Sequence, residues 1–265
     1  MSEPRGRVLA IAGSDSGGGA GIQADIKTIT ALGGYAASAI TAVTVQDTLG
    51  VHAVHPVPPD VIAAQIRAVL ADIGADAIKT GMLGDAAAIE AVRDALAAFP
   101  GIPLVVDPVM TAKGGAALLA DGGLTPLKRV IAGADLVTPN APEAEALTGV
   151  AVSTTDDLRR AGEVLLTWGV RAVLMKGGHV PGDAVIDLLM TPDGETQLEG
   201  ARIETRHTHG TGCTLASACA TGLAQGLPLA EAVARAWAYT AEAIRQAPGL
   251  GAGAGPLGHA WPVRR

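Results

Sequence analysis

Apolar, β-prone runs alternate with helical patterns along almost the whole 265-residue chain, and that alternation permits few architectures. A strand that returns through a helix to another strand lies parallel to the first, and its helices must cover both faces of the sheet. Residues 7–12, 37–45, 51–57, 77–79, 104–107, 136–137 and 172–175 read as strands, being rich in Val, Ile and Thr or short and wholly apolar. Residues 21–32, 61–73, 86–98 and 158–168 read as helices; in the first, Ile22, Ile26 and Ile29 share one face. Residues 184–190 and 196–203 look like a β-meander, followed by helices at 214–224 and 229–245, and the glycine-rich 249–258 reads as a terminal loop. The pattern predicts an α/β fold with a doubly wound, mostly parallel sheet. No linker, charge run, composition shift or repeat divides it, so one domain over 1–265 is expected.

With 49% hydrophobic and 17% charged residues the chain can build a large core, but three Trp, two Tyr and one Phe force that core to be packed from Ala, Val, Leu and Ile. Stacking platforms for single-stranded nucleic acid are not expected from so few rings. A net charge of -7 argues against nucleic acid or any other extended polyanion, while leaving room for a small phosphorylated ligand in a locally positive pocket. Cys213 and Cys219 fall on different faces of one predicted helix and cannot pair. Residues 1–12 lack a signal-peptide apolar run and no stretch reaches membrane-spanning length, so a cytoplasmic protein is expected.

In a doubly wound sheet, ligands collect beyond the carboxyl ends of the strands. Polar groups stand where the strands stop: Gly13-Ser14-Asp15-Ser16-Gly17-Gly18-Gly19-Ala20-Gly21, Thr80-Gly81-Met82, Asp107-Pro108, Thr138-Pro139-Asn140 and Lys176-Gly177-Gly178-His179. They predict one shared cleft. His209-Gly210-Thr211-Gly212-Cys213 is the most telling stretch, a glycine turn running into an apolar helix. The opening amides of a helix are unpaired and carry partial positive charge, and glycines let an anion approach them closely. The loop 17–21 lacks the Gly-Lys-Ser/Thr of a P-loop, and Ile22 breaks the dinucleotide pattern. Gln23, Asp25 and Lys27 on the next helix nonetheless point to a ligand there.

Ala12-Gly13-Ser14-Asp15 with residues 18–28, Thr41-Ala42-Val43-Thr44-Val45-Gln46, Lys79-Thr80-Gly81-Met82-Leu83, Thr138-Pro139-Asn140 with Glu143, Met175-Lys176-Gly177-Gly178-His179, and Thr208 through Thr214 occur in that order over nearly the full chain. Together they resemble the bacterial hydroxymethylpyrimidine/phosphomethylpyrimidine kinases of thiamine synthesis. The resemblance implies the ribokinase-like three-layer α/β/α fold, ATP and Mg²⁺ as cofactors, and a homodimer. It also implies two successive phosphorylations of a small molecule: of the alcohol 4-amino-5-hydroxymethyl-2-methylpyrimidine, then of its monophosphate.

Phosphoryl transfer needs an aligned acceptor, with cations and N–H donors for the charge on the migrating group. On that basis Gly210, Gly212 and Cys213 are expected to hold the migrating group, with Thr211 and Lys176 on the nucleotide phosphates. The resemblance assigns Asn140 and Glu143 to Mg²⁺ held through water, with Asp107 facing the metal or the phosphates. The spacing Asn-x-x-Glu fits a helix capping pair nearly as well. For the pyrimidine, Gln46 is expected to read the ring edge, because a carboxamide both donates and accepts. Asp25 would bond the substrate, Met82 and Ala20 would flank the ring, and the Gly13 backbone would lie close. A helix N-terminus lowers a thiol's pKa, so a Cys213 thiolate could take the alcohol proton; equally, the residue could only position the substrate. Cys219 reads as core.

Three departures from the family's common pattern stand out: Ser16-Gly17 in the first loop, Val45 and Asp47. None is expected to touch the assigned groups, although the Asp47 charge beside Gln46 could tune substrate choice. Rival readings are a pyridoxal kinase, a thiol hydrolase pairing Cys213 with His207 or His209, and a non-catalytic sensor. A zinc site of His207, His209, Cys213 and Cys219 fails the usual ligand spacing.

Overall fold

Neighbouring residues on the central strands enter two different cores, and this splitting organises the molecule. A computed structural model describes residues 5–112 and 114–263. Its strands are β1 (Arg7–Asp15), β2 (Tyr35–Gln46), β3 (Val51–Pro56), β4 (Ala77–Thr80), β5 (Leu104–Val106), β6 (Leu136–Val137), β7 (Val173–Met175), β8 (Ala184–Thr191) and β9 (Gly194–Ala201). Its helices are α1 (Gly21–Ala31), α2 (Pro59–Asp72), α3 (Ala86–Ala97), α4 (Leu124–Ala132), α5 (Ala141–Thr148), α6 (Thr155–Leu166), α7 (Thr211–Ala224) and α8 (Leu229–Arg245). Val8, Ala77, Val105, Leu136 and Leu174 pack with α7 and α8. Their neighbours Leu9, Ile78, Val106, Val137 and Val173 pack with α2, α3, α4, α5 and α6. Successive side chains on a strand point to opposite faces, so a short, fully apolar strand serves both layers.

The nine strands form one sheet in the order β3-β2-β1-β4-β5-β6-β7-β8-β9. Pairings from β2 through β7 are parallel, whereas β3, β8 and β9 attach antiparallel. The sheet is therefore mixed, its parallel centre flanked by antiparallel edges. From β1 the chain winds one way to β2 and the other way to β4, which places the topological switch point between β1 and β4.

Two helices escaped the sequence reading. α4 follows a glycine pair and carries Pro126 near its start, and α5 is eight residues opened by a proline. α7 begins at Thr211, three residues before its apolar run, and its positions Thr214 through Gly222 are all buried. Small residues allow that close approach: a methyl group at Gly222 would lie 2.6 Å from Ala232 Cβ on α8.

The glycine-rich 249–258 is not a free loop. The Gly253 amide donates to Thr48 Oγ1, Ala254 to the Thr48 carbonyl, and His209 to the Gly255 carbonyl. A methyl on Gly253 would stand 2.0 Å from the Thr48 oxygen. The chain's last segment thus straps the β2–β3 turn to the entry of α7. Among the described residues no helix is long and apolar enough to cross a membrane.

Candidate active site

Polar groups at the carboxyl ends of β1, β4, β5, β6 and β7 converge on the start of α7, as the switch-point rule requires. Gly210 caps α7 with φ +84, and a methyl there would lie 1.8 Å from the Gly19 carbonyl oxygen. No side chain caps α7, so its opening amides at Gly212 and Cys213 remain available. A methyl on Gly212 would stand 3.1 Å from Lys176 Nζ and 3.4 Å from Asp107 Oδ2. The helix entry, the lysine and the carboxylate therefore share one small space.

Lys176 donates to Asp107 Oδ1 at 3.0 Å and lies 3.9 Å from Glu143 Oε2. Burial works against its charge, but Asp107 and then Glu143 outweigh burial and raise its pKa. Thr138 Oγ1 donates to the same Asp107 oxygen at 3.2 Å. Asn140 and Glu143 form the capping box that spacing allowed: Asn140 Oδ1 accepts from the Glu143 amide, and Glu143 Oε2 from the Asn140 amide. Burial nonetheless pushes the Glu143 carboxyl up to about 7, against the pull of Lys176. Among the described residues no group of three or more His, Cys, Asp or Glu could cage a metal. Mg²⁺ needs none, since it keeps several waters and takes one or two carboxylates plus phosphate oxygens. Asp107 and Glu143 fit that requirement.

Beneath α7, Lys79 and Asp25 form a fully buried ion pair, Nζ to Oδ1 at 2.8 Å. Ser217 Oγ donates to the same oxygen at 2.7 Å. Burial opposes the charge on Lys79, but Asp25 together with Cys213 and Asp107 outweighs it and raises the pKa, while burial raises the Asp25 carboxyl against the pull of Lys79. Asp25 is accordingly no exposed substrate contact. Its Oδ1 is committed within the protein, and its enclosed Oδ2 has no partner, so only that atom is left to accept a donor.

Cys213 lies partly exposed at the helix entry. Burial pushes its thiol up to about 11, outweighing the pull of Lys79 and of the Gly21 amide. Helix-end charge is a local effect, and enclosure beside two carboxylates exceeds it here. That direction favours the thiol over the thiolate at neutral pH, and with it the positioning role over the base. Alkylation of the native protein is expected to accelerate with pH up to about pH 9 without levelling off; a plateau near neutrality, traced by mass spectrometry to Cys213, would reveal a thiolate instead. Cys219 is buried, its thiol pushed up to about 12.

Gln46 closes β2 and lines a cavity of about 220 Å³ together with His209, Asp47, Leu49, Ala112 and Ala254. Neither Met82, Ala20 nor Gly13 lines it. Met82 instead packs against Gly13, where a methyl would lie 3.0 Å from its sulfur, and Thr41 Oγ1 donates to the Met82 carbonyl. The Ala20 amide donates to Asp15 Oδ2.

Sequence reasoning missed Asp15, His209, Thr44 and Ser16 as neighbours of Gln46. His209 Nε2 lies 2.9 Å from Asp15 Oδ2 and 3.3 Å from one end of the Gln46 carboxamide. Ser16 Oγ donates to the Gln46 carbonyl and accepts from its amide, so this departure from the family pattern does hold an assigned residue. Asp47 spends its charge locally, accepting from the Leu49 and Gly50 amides and from His52 at 3.0 Å. The only available clue to His209 was its place one residue before the Gly-Thr-Gly turn.

A phosphomethylpyrimidine kinase family model matches residues 15–258. The chain is 51% identical over 257 residues to the thiamine biosynthesis bifunctional protein ThiED of Geobacter sulfurreducens, covering 97% of this chain but only 52% of that longer protein. It is 49% identical to the hydroxymethylpyrimidine/phosphomethylpyrimidine kinase of Streptomyces coelicolor, over 97% of this chain and 95% of that one. Among solved structures, an ADP complex of the pyridoxal kinase of Bacillus subtilis superposes with TM-score 0.91 at 34% identity, covering 97% and 98% of the two chains. The shared architecture is the ribokinase-like one.

Proposed function

Because the chain belongs to the phosphomethylpyrimidine kinase family, we propose that it phosphorylates 4-amino-5-hydroxymethyl-2-methylpyrimidine at its alcohol and then phosphorylates the resulting monophosphate, supplying thiamine synthesis. The observation that carries this reading is one juxtaposition. A carboxamide-lined cavity at Gln46 includes His209, which directly precedes Gly210 at an uncapped helix entry whose Gly212 lies beside Lys176 and Asp107. ATP, when bound with Mg²⁺, brings the transferable phosphoryl group and partly neutralises it.

The protein's own residues do the rest. The Gly212 and Cys213 amides open α7 beside the Lys176 ammonium, and such fixed donors stabilise charge developing on a migrating phosphoryl without reorganising. Thr211 opens the same helix and would add its contact to the nucleotide phosphates. Asp107 and Glu143 hold Lys176 in place and supply carboxylate oxygens on the side where Mg²⁺ would sit. Gln46 reads the ring edge, while the enclosed Asp25 holds Lys79 and Ser217 beneath α7. The neutral Cys213 thiol positions the acceptor alcohol; a loose transition state needs little help from a base.

We read residues 1–265 as one catalytic domain. Val43, Val45 and Leu49 are large apolar residues exposed near the β2–β3 edge, and they suit a homodimer contact. Two free cysteines suit a reducing cytoplasm.

Likeness to a pyridoxal kinase supports a second reading, the same chemistry on a pyridine alcohol. Coupled ADP release should be measured with the pyrimidine alcohol, its monophosphate and pyridoxal in parallel. Turnover of both pyrimidines with kcat/KM above that of pyridoxal is expected. Release with pyridoxal alone would establish the second reading, and release with none of the three would remove kinase activity on these rings.

A further inference from the structure

The hydrogen-bond partners of Gln46 dictate which end of its carboxamide carries the nitrogen. Asp15 Oδ2 accepts from the Gly19 amide at 3.0 Å and the Ala20 amide at 2.8 Å, and Oδ1 accepts from Gly17 at 2.8 Å. Burial alone would raise this carboxyl's pKa, but His209 and those amides outweigh it and hold the pKa below the ordinary carboxylate range. Asp15 is therefore ionised and can only accept. His209 Nε2, 2.9 Å away, must carry its hydrogen toward Asp15. An N–H nitrogen has no lone pair left in the ring plane, so it cannot accept from an amide NH₂. Its one hydrogen, engaged by Asp15, can be shared only with a second acceptor in a three-centre bond, so the Gln46 atom 3.3 Å from His209 Nε2 is the carbonyl oxygen.

The opposite end requires the same arrangement independently. Thr44 Oγ1 has one hydrogen and lies 2.9 Å from the Ser14 carbonyl, which can only accept. That hydrogen is taken, so the Gln46 atom 3.1 Å from Thr44 Oγ1 must donate and is the nitrogen. Oxygen and nitrogen of such a carboxamide exchange places by a half-turn that scarcely changes its shape, and hydrogen bonding decides between the two.

We infer that the Asp15–His209 pair and Thr44 together lock the Gln46 carboxamide with its oxygen toward His209 and its nitrogen toward Thr44, and that this lock is a determinant of which ring the cavity accepts. One lone pair on the oxygen and one hydrogen on the nitrogen remain for a ligand. An aminopyrimidine offers the complementary edge, an amino hydrogen beside a ring nitrogen, with the amino group on the His209 side. A 4-oxo ring offers the reverse edge, which only the half-turned carboxamide could match. Asp15, His209 and Thr44 are thus positioning residues. The statement about rings rests on the function proposed above, whereas the carboxamide orientation does not.

Two measurements test it. In ligand-free protein, ¹⁵N-edited NOE spectra are expected to connect the Gln46 side-chain NH₂ hydrogens to the Thr44 methyl group; a dominant connection to the His209 ring hydrogens would overturn the orientation whatever the substrate. For selectivity, kcat/KM is compared between the 4-amino alcohol and its 4-oxo analogue. The wild-type ratio is expected to be at least about 100, because the wrong edge leaves buried polar groups unpaired. Thr44→Val and His209→Ala, which release the two ends separately, should each lower it about tenfold, while Thr44→Ser restores it. Ratios unchanged in both variants, with melting temperatures near wild type, would defeat the specificity role. If either variant fails to fold, the other still decides.

Discussion

Lys176→Met is expected to reduce kcat by about 10²–10³-fold, the scale seen when a preorganised donor to developing charge is removed. The nearly isosteric methionine keeps the packing beside Gly212 while deleting the one ammonium 3.0 Å from Asp107. Its loss has two consequences that can be separated. Asp107 and Glu143 lose their common counter-ion, so the ligand-free protein should also lose stability, as happens when one partner of a buried pair is removed. Glu143, already pushed up to about 7 against the pull of that lysine, should titrate higher still. Affinity for the pyrimidine alcohol should change little, because the Gln46 cavity is separate from the lysine. Steady-state kinetics with both substrates, alongside thermal melts with and without Mg²⁺, tests the set. A kcat within about threefold of wild type would take Lys176 out of the phosphoryl-transfer machinery.

The second large effect is expected at Gly210. A methyl group there meets the Gly19 carbonyl oxygen at 1.8 Å, on a backbone whose φ of +84 disfavours any L side chain. Backbone strain alone costs about 1–2 kcal/mol. The contact also forces apart the first-strand loop and the entry to α7, whose spacing fixes acceptor against phosphate, and misplacement by about 1 Å can cost about 100-fold in rate. Gly210→Ala should therefore lose at least that much kcat/KM and melt at lower temperature. Gly226 is the matched control: its φ is +81, but nothing lies within 4 Å of an added methyl. Gly226→Ala should cost about 1 kcal/mol in stability and leave kcat/KM intact. Equal kinetic losses in the two variants would refer the Gly210 effect to global stability.

Much of this architecture was legible because parallel central strands are short apolar runs between helical periods, and Val8-Leu9, Val105-Val106 and Leu136-Val137 carry that signal plainly. Residues on separate loops that bear obvious charge or glycine, such as Lys176, Asp107, Gly210 and Gly212, were also readable, since the switch-point rule says where strand ends must meet. The pairing of Asp15 with His209 was not, because 194 positions separate them. Cys213 was ambiguous for a related reason: helix-end charge is visible in sequence, whereas the burial and the nearby Asp107 and Asp25 that oppose it are properties of the folded chain. Asn140 and Glu143 were ambiguous in sequence, and the structure gives them both the capping geometry and a place beside Lys176.

The strap formed by residues 249–258 makes a finished pocket separable from a finished fold. One wall of the Gln46 cavity is Gly253 and Ala254, anchored on Thr48, and the His209 amide donates to the Gly255 carbonyl. A chain cut after residue 245 would keep its sheet and both helical layers yet lack that wall. Competence to bind a ring would then be lost while the fold survives, as in a lock without its last turn.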